Sequence, residues 1–227
     1  MRINKHIASS TGLSRRWADQ AIMQGRVLVN GVAPTPGQDI TSADAVTLDD
    51  RPLTTAQPLQ TIMLNKPVGV VVSRDGQGSK TIYDILPASL RHLKPVGRLD
   101  KYSSGLLLLT NDGALANLLT HPRYQKTKRY EVVLHKPLAP ENKAKVEQGV
   151  ALEDGPSAFQ LKPLPPDPGH KPGTKWEATL TEGRNRQIRH TFAALDYTVL
   201  KLHRTHFGAY SLATLESGDF CPATPLK

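Results

Sequence analysis

The chain has 227 residues and a formal net charge of +9, and a chain of this length can bury a core as one domain or as two unequal ones. No basic tail accounts for the charge, so it favours a polyanionic partner, nucleic acid first, over a merely basic surface. The single cysteine, Cys221, excludes an internal disulfide framework and a cysteine-rich zinc site.

No signal peptide is recognisable at the start of the sequence, and the apolar runs are far shorter than the roughly 20 residues that cross a bilayer. With one cysteine, this pattern is typical of a reducing compartment. We therefore expect a soluble, cytoplasmic protein with no membrane partner.

Two helices and a small β element are predicted for the first part of the chain. Apolar residues at helical spacing predict a helix that ends at Gly12. Ser14 can cap a second helix over residues 15–23. The run Val27-Leu28-Val29 before Asn30-Gly31 predicts a β-hairpin, because both central residues of its favoured turn need positive φ.

This order of helix, Ser-Arg-Arg, helix and Gly-Arg-Val-x-Val-Asn-Gly resembles the S-four RNA-binding domain, first known from a small-subunit ribosomal protein. The resemblance implies that basic side chains of the helices and hairpin contact structured RNA, and the matching positions are Arg2, Lys5, Arg15, Arg16 and Arg26. The alternative is that these residues are ordinary solvated helix charges.

Residues 49–58 carry two prolines and no apolar periodicity, which is typical of a linker. A boundary near residue 58 would leave a small N-terminal module, residues 1–58, and a larger domain, residues 59–227. The remainder has an ordinary domain size.

The larger domain begins with β-prone runs over residues 61–64 and 68–72, which predict two strands. Residues 81–86 predict a single helical turn that Pro87 ends. Asp112 can cap a helix over residues 114–119.

Between these elements lies Arg98-Leu99-Asp100 in a polar segment, directly before the four leucines 106–109 and an Asn-Asp-Gly turn. A short apolar run closed by a turn signal predicts a buried central strand. The strand would anchor the preceding loop, and reactive side chains are often displayed on such loops. Asp100 is therefore the first candidate for chemistry.

The second half of the domain is rich in β-prone segments. Tyr130 stands at the entry of one strand, residues 176–180 alternate as a half-buried strand, and residues 197–204 predict another. Residues 140–146 predict a surface helix, and a helix starting near Asn185 would place Arg189 at the edge of the core. The fold class is α+β with a mixed, largely antiparallel sheet and flanking helices.

Three motifs in this order resemble the bacterial ribosomal RNA pseudouridine synthases that carry an N-terminal S-four domain: Gly97-Arg98-Leu99-Asp100, Lys128-Arg129-Tyr130 and Glu182-Gly183-Arg184-Asn185-Arg186-Gln187-Ile188-Arg189. The resemblance runs over essentially the whole chain. It implies isomerisation of a uridine in ribosomal RNA, free or in an assembling subunit, by a monomer that needs no cofactor or metal.

The resemblance also implies roles for the matching residues. Asp100 is the nucleophile, Arg189 pairs with it, and Tyr130 stacks on a flipped uracil. The expected RNA contacts are Arg98, Lys128, Arg184, Arg186 and Arg204. The chain departs from the family at Ser103, where many members have threonine, and at His190-Thr191, where a basic residue and methionine are common.

Three alternatives stay open at this stage. A non-catalytic ribosome-assembly factor could keep the same scaffold. An RNA N-glycosidase would need a second carboxyl group, for which Glu182 is the nearest candidate. The modified uridine could lie in either ribosomal subunit, and the pattern of residues 152–159 and 180–186 favours the large one.

Overall fold

A computed structural model describes residues 1–53, 58–169 and 171–224. The chain divides into two compact units, Met1–Gln60 and Thr61–Lys227. The first unit contains α1 (Ile3–Thr11), α2 (Arg15–Met23), β1 (Val27–Val29), β2 (Val46–Leu48) and β3 (Arg51–Pro52). Its three strands form one antiparallel sheet in the order β1-β2-β3.

Both predicted helices of the first unit are confirmed. Gly12 ends α1 in the left-handed conformation, with φ of 75°, as glycine can without a Cβ penalty. The Ser14 hydroxyl accepts the backbone N–H of Trp17 at 3.0 Å and so caps α2. The buried faces of the two helices pack in one core cluster with β1 and β2.

The predicted hairpin is only partly correct. Asn30 and Gly31 adopt positive φ, 51° and 80°, and Val29 forms an isolated β-bridge with Val32 across this turn, but the strand that pairs with β1 along its length is β2. The Asn30 side chain explains the difference, because it donates to Asp44 Oδ1 at 2.8 Å and accepts from Ala45 N at 2.9 Å. These bonds bring β2 beside β1.

The predicted linker is also corrected at its start, since Arg51–Pro52 forms β3 and Leu53 packs against the core of the first unit. Residues 54–57 of that prediction lie outside the described residues.

In its described residues, the second unit has a nine-stranded sheet with four α-helices. Its elements in chain order are β4 (Thr61–Lys66), α3 (Ile82–Ile85), β5 (Lys94–Pro95), β6 (Ser104–Thr110), α4 (Gly113–Thr120), β7 (Lys128–Leu134), α5 (Pro140–Gln148), β8 (Val150–Leu152), β9 (Gly155–Ser157), β10 (Gln160–Pro163), β11 (Lys175–Leu180), α6 (Gln187–Ala193), β12 (Val199–Phe207), β13 (Tyr210–Ser211) and β14 (Phe220–Pro222).

The main sheet has the order β10-β11-β7-β12-β6-β4-β14, with β13 paired to β12 and β5 paired to β6. The β12–β6 pair is parallel, and the neighbouring pairs β7–β12 and β4–β6 are antiparallel. A separate hairpin joins β8 to β9. A mixed, largely antiparallel sheet with few helices is therefore confirmed.

The leucine strand β6 is buried along its whole length, as predicted. Because successive side chains of a strand point to opposite faces, Leu106 and Leu108 enter one core cluster, whereas Leu107 and Leu109 enter another that contains Leu99. Complete burial stabilises the fold by about 1.5–3 kcal/mol per leucine. The strand is thus a rigid support for the loop that precedes it.

One predicted strand is wrong. Residues 68–72 form no extended strand, because their backbone groups bond outside the sheet: Gly69 N donates to Lys101 O at 2.8 Å and Val71 N to Lys80 O at 2.9 Å. The single helical turn at α3 and the Asp112 cap of α4 are confirmed. Helix α6 begins two residues later than expected, since Arg186 adopts a left-handed φ of 48° before it.

Candidate active site

A cleft with a volume of about 190 Å³ lies in the second unit, where the loop before β6 meets β7, β12 and the turn before α6. Its wall contains both Asp100 and Tyr130, two of the three predicted catalytic residues. The wall also contains the predicted RNA contacts Arg98, Lys128, Arg184, Arg186 and Arg204.

Strand order explains why residues so far apart in sequence meet here. Tyr130 on β7 pairs with Arg204 on β12, and Arg204 pairs with Gly105 on β6. These three residues form one row across the sheet. Asp100 lies five residues before Gly105, the residue at one end of this row. The Tyr130 ring packs against two core clusters, one that contains Val132 and Leu134 and one that contains Leu107 and Leu109.

The close approach of β6 and β12 requires glycine at position 105. A Cβ on this residue would lie 2.3 Å from Arg204 O and 2.6 Å from Arg204 N, and the backbone φ is +103°. Real Cβ atoms do not approach backbone this closely, and other residues rarely adopt this φ. Gly105 therefore sets the position of Arg204 relative to the Asp100 loop.

Three consecutive carbonyl groups fix the Asp100 loop, and each accepts a hydrogen bond from a different part of the unit. Lys101 O accepts from Gly69 N at 2.8 Å, Tyr102 O from Arg189 Nη2 at 2.7 Å, and Ser103 O from Lys66 Nζ at 2.7 Å. Two of the three donors carry charge, which strengthens the bonds. The backbone that displays Asp100 is thus preorganised.

Arg189 does not form the direct ion pair with Asp100 that the family resemblance implies. Its guanidinium donates to the carbonyls of Val199 at 2.8 Å and Tyr102 at 2.7 Å. The carboxylate of Asp100 instead lies 3.6 Å from Arg186 Nη1, with 31% of the Asp100 side chain exposed. Two backbone carbonyls within reach hold the Arg189 side chain away from the carboxylate.

Arg189 still acts on Asp100 through its charge. Burial lowers the pKa of the Arg189 guanidinium, the nearby charge of Arg186 lowers it further, and Asp100 raises it. An arginine keeps its proton despite such a shift. Arg189 therefore supplies positive charge beneath the loop while it holds the loop in place.

Lys66 supports the Asp100 loop, a role that the sequence did not predict. Its side chain is 0% exposed at the end of β4, and Nζ also donates to Pro67 O at 2.8 Å. Burial lowers the pKa of Lys66 to about 8, and the charge of Asp100 opposes this shift. A lysine at the end of the buried, otherwise largely apolar run 61–66 was the available signal, because lysine is almost never fully buried without partners.

Other basic residues of the cleft differ in their exposure and in the hydrogen bonds that their side chains form. Arg98 is exposed, whereas Arg204 is 2% exposed and donates from Nε to Leu106 O at 2.8 Å. Arg184 donates to the β8–β9 hairpin at Asp154 Oδ1, 2.7 Å, and Pro156 O, 2.9 Å. Arg204 and Arg184 thus hold the walls of the cleft together.

Glu182 places a second carboxylate in the cleft wall. It accepts a hydrogen bond from Gln187 Nε2 and lies 3.7 Å from Arg184 Nε. Both partners hold the side chain against the turn before α6.

Among the predicted RNA contacts of the first unit, Lys5 and Arg16 are exposed and have no ion pair with any described residue. Arg15 donates to Asn4 Oδ1 at 2.9 Å. Arg26 forms two bonds with the Asp49 carboxylate, at 2.7 and 2.5 Å, and Arg2 lies 3.9 Å from the Asp39 carboxylate. Lys5 and Arg16 are therefore the charges most available to a phosphate.

In chemical terms, the cleft offers a carboxylate on a fixed loop, an aromatic ring with a hydroxyl group, and a wall rich in positive charge. A carboxylate can trap or stabilise a cationic sugar carbon. An aromatic ring can stack on a base that has left its helix.

Among the described residues of the chain, no helix is long and apolar enough to cross a membrane.

Comparison with known proteins gives a consistent result. Residues 60–194 match the family model of the RNA pseudouridylate synthases. The chain is 37% identical to ribosomal large subunit pseudouridine synthase B of Bacillus subtilis, over 99% of this chain and 92% of the relative. It is 35% identical to ribosomal small subunit pseudouridine synthase A of Haemophilus influenzae, over 99% and 96% of the two chains.

A solved structure is similar over the same extent. The crystal structure of a pseudouridylate synthase, 34% identical, superimposes with a TM-score of 0.70 and covers 99% of this chain and 96% of its own. The likeness therefore includes both compact units.

Proposed function

Since the chain belongs to the RNA pseudouridylate synthase family, we propose that it isomerises one uridine of ribosomal RNA to pseudouridine, in the large subunit. The observation that carries this proposal is the cleft in which Asp100, on a loop fixed at three carbonyls, shares a wall with Tyr130. The relatives named for large-subunit and small-subunit RNA support ribosomal RNA as the substrate.

The reaction rearranges bonds without any net change in composition. The bond from the ribose C1′ to N1 of uracil breaks, the base turns, and a bond from C1′ to C5 forms. The proton that leaves C5 is matched by a proton gained at N1. No oxidant, reductant or water is consumed, so side chains that handle charge and protons suffice.

We propose that particular side chains of the cleft and its surroundings carry out these tasks. The Asp100 carboxylate acts on the positive charge that develops at C1′ when the glycosidic bond breaks. The Tyr130 ring stacks on the flipped uracil, and its hydroxyl assists removal of the C5 proton. Arg189 and Lys66 hold the Asp100 loop, and Arg98 contacts a phosphate or helps to hold the flipped base out of its stack. Extrusion of a base costs a few kcal/mol, which these contacts offset.

We also propose that residues 1–58 form an S-four-like RNA-binding domain and residues 59–227 the catalytic domain of a cytoplasmic monomer. The two capped helices, the small sheet and the exposed Lys5 and Arg16 support this assignment. Contacts to phosphates give affinity without sequence information, whereas the cleft selects the uridine.

Mapping of pseudouridines in ribosomal RNA from strains with and without the gene tests this function. We expect one pseudouridine of the large-subunit RNA to be absent from the deletion strain and restored by the wild-type gene, but not by Asp100→Asn. A missing pseudouridine in the small subunit would correct the substrate.

Other outcomes would replace the proposal. An assembly defect with unchanged modification would indicate a non-catalytic assembly factor. Release of free uracil from the RNA by the purified protein would indicate an N-glycosidase, in which Glu182 would be the second carboxylate.

A further inference from the structure

Beside the cleft that contains Asp100 lies a second cleft with a volume of about 440 Å³. The two share five wall residues: Thr120, Lys128, Glu182, Gly183 and Arg184. The two clefts are therefore adjacent, with these five residues at their junction. The second cleft has the size of an ordinary small-molecule site, about 300–1,000 Å³, and the first is smaller.

The far wall of the second cleft is preformed. A short 3₁₀ turn, Pro122–Tyr124, follows α4, and the His121 ring accepts the backbone N–H of Arg123 at 3.2 Å. Gln125 then adopts a left-handed φ of 44° and donates its N–H to Pro122 O at 3.1 Å. These bonds fix the wall before any ligand arrives.

The chemistry of the walls suits a nucleotide base. Leu119, Pro122 and Ala158 provide apolar surface, whereas His121 and Gln125 provide hydrogen-bonding groups. Proteins bind unstacked RNA bases by stacking them on aromatic rings, histidine included, or on arginine planes, and by hydrogen bonds to base edges; the His121 ring in this wall can take part in such stacking. The mixture fits a lipid or an apolar peptide poorly.

The junction between the clefts carries a partly buried cation, Lys128. Lys128 lines both clefts, and its Nζ lies 5.2 Å from the centre of the Phe207 ring and 3.2 Å from Lys126 O. Burial, and then the neighbouring charge of Arg204, lower the pKa of Lys128, and the charge of the Glu182 carboxylate opposes this shift. A phosphate at the junction would provide a counter-charge for Lys128 and so offset both its burial and its repulsion from Arg204.

Arg184 does not compete for that phosphate, because its guanidinium is bonded to the β8–β9 hairpin. Glu182 in the shared wall is likewise held by Gln187 and Arg184. Lys128, with Lys126 beside it in the second cleft, is thus the cation that faces the junction.

We infer that the second cleft binds the nucleotide directly adjacent to the target uridine, with its base unstacked and the linking phosphate on Lys128. This inference rests on the proposed function. It predicts that two neighbouring nucleotides, rather than one, leave the RNA stack when the protein binds.

Photocrosslinking from the second cleft tests the inference. A benzoylphenylalanine is placed at Ala158, which is exposed, lines only the second cleft and belongs to none of the proposed catalytic groups. The probe is incorporated in the full chain with Asp100→Asn, so that substrate stays unconverted. Ala151, exposed on β8 and outside both clefts, is the matched control position, and Arg98 is the reference position in the first cleft.

The RNA is a ribosomal fragment in which the wild-type protein forms pseudouridine at a mapped uridine. We expect crosslinks from position 158 at the nucleotide directly before or after that uridine, and at most a tenth of that yield from position 151. Crosslinks two or more nucleotides away, or none while position 98 crosslinks, would overturn the second site and leave the function intact. If the wild-type protein converts no uridine, the proposed function fails, and this inference fails with it.

Discussion

Positive charge is used in opposite ways in the two units of the chain. In the second unit, Lys66 and Arg204 are 0% and 2% exposed and donate to backbone carbonyls. In the first unit, Lys5 and Arg16 are exposed and form no ion pair with the described residues. The buried cations fix the shape of a site, and the exposed ones remain available for a polyanion. Net charge alone does not distinguish these uses.

Among the buried contacts, we expect substitutions to destabilise the fold most where β6 meets β12. We expect Gly105→Ala to lower the free energy of unfolding by at least about 3 kcal/mol, because the new Cβ must displace the backbone of Arg204 and adopt a strained φ. Denaturant unfolding measures the loss. Gly113→Ala is the control, since nothing lies within 4 Å of its Cβ position; equal stability of the two variants would contradict the account.

We expect Lys66→Met to lower the free energy of unfolding by a smaller but still substantial amount. The substitution keeps a long apolar side chain but leaves Ser103 O and Pro67 O without their donor. An unpaired buried acceptor costs about 1–3 kcal/mol, and relief of the buried charge offsets part of this. The free energy of unfolding, measured with denaturant, and the rate of pseudouridine formation would both fall. Full activity with lowered stability would show that Lys66 does not position Asp100.

The pH dependence of stability isolates the Lys66 charge. Its pKa is lowered to about 8 in the folded protein from an ordinary 10.5, so between these values the unfolded chain binds more protons at this residue. Stability from this group therefore increases as pH rises from about 8 toward 10.5. The difference between wild type and Lys66→Met in unfolding experiments should grow over that range. A constant difference would mean that Lys66 titrates normally.

Substitution of the exposed cations should have the opposite effect: a large change in RNA affinity and almost no change in stability. For the double variant Lys5→Ala and Arg16→Ala, we expect an unchanged unfolding midpoint. The slope of log affinity against log salt should decrease by about 1 for each phosphate that the variant no longer neutralises. Filter binding to ribosomal RNA at several salt concentrations measures this. Lys162→Ala, exposed on β10, is the control, and an equal change there would indicate nonspecific charge effects.

Local signals in the sequence predicted many elements of this fold. Caps such as Ser14 and Asp112 and the apolar run of β6 act within a few residues, so they can be read without the tertiary structure. Pairing between distant segments could not be predicted, as the β1–β2 pair shows. Such pairs depend on side chains that meet only in the fold, including Asn30 with Asp44 and Ala45.

The same distinction applies to the site. The motifs identified Asp100 and Tyr130, which share the cleft wall. They did not predict that Arg186 rather than Arg189 lies next to the carboxylate, because two carbonyls compete for the Arg189 guanidinium. The position of Lys66 at the end of an apolar run indicated a buried lysine, but its partners could not be predicted, because they are backbone atoms of the loop and backbone acceptors leave no residue pattern.

Asp100 is proposed to be essential for the reaction, whereas RNA binding depends on other groups. Purified wild-type protein and Asp100→Asn should be compared on one ribosomal RNA fragment, with pseudouridine formation measured in single turnover and affinity measured separately. Asparagine keeps the size of the side chain but cannot act as the nucleophile. We expect no pseudouridine from the variant and an affinity within about twofold of wild type. Pseudouridine formed by the variant would contradict the assignment of Asp100.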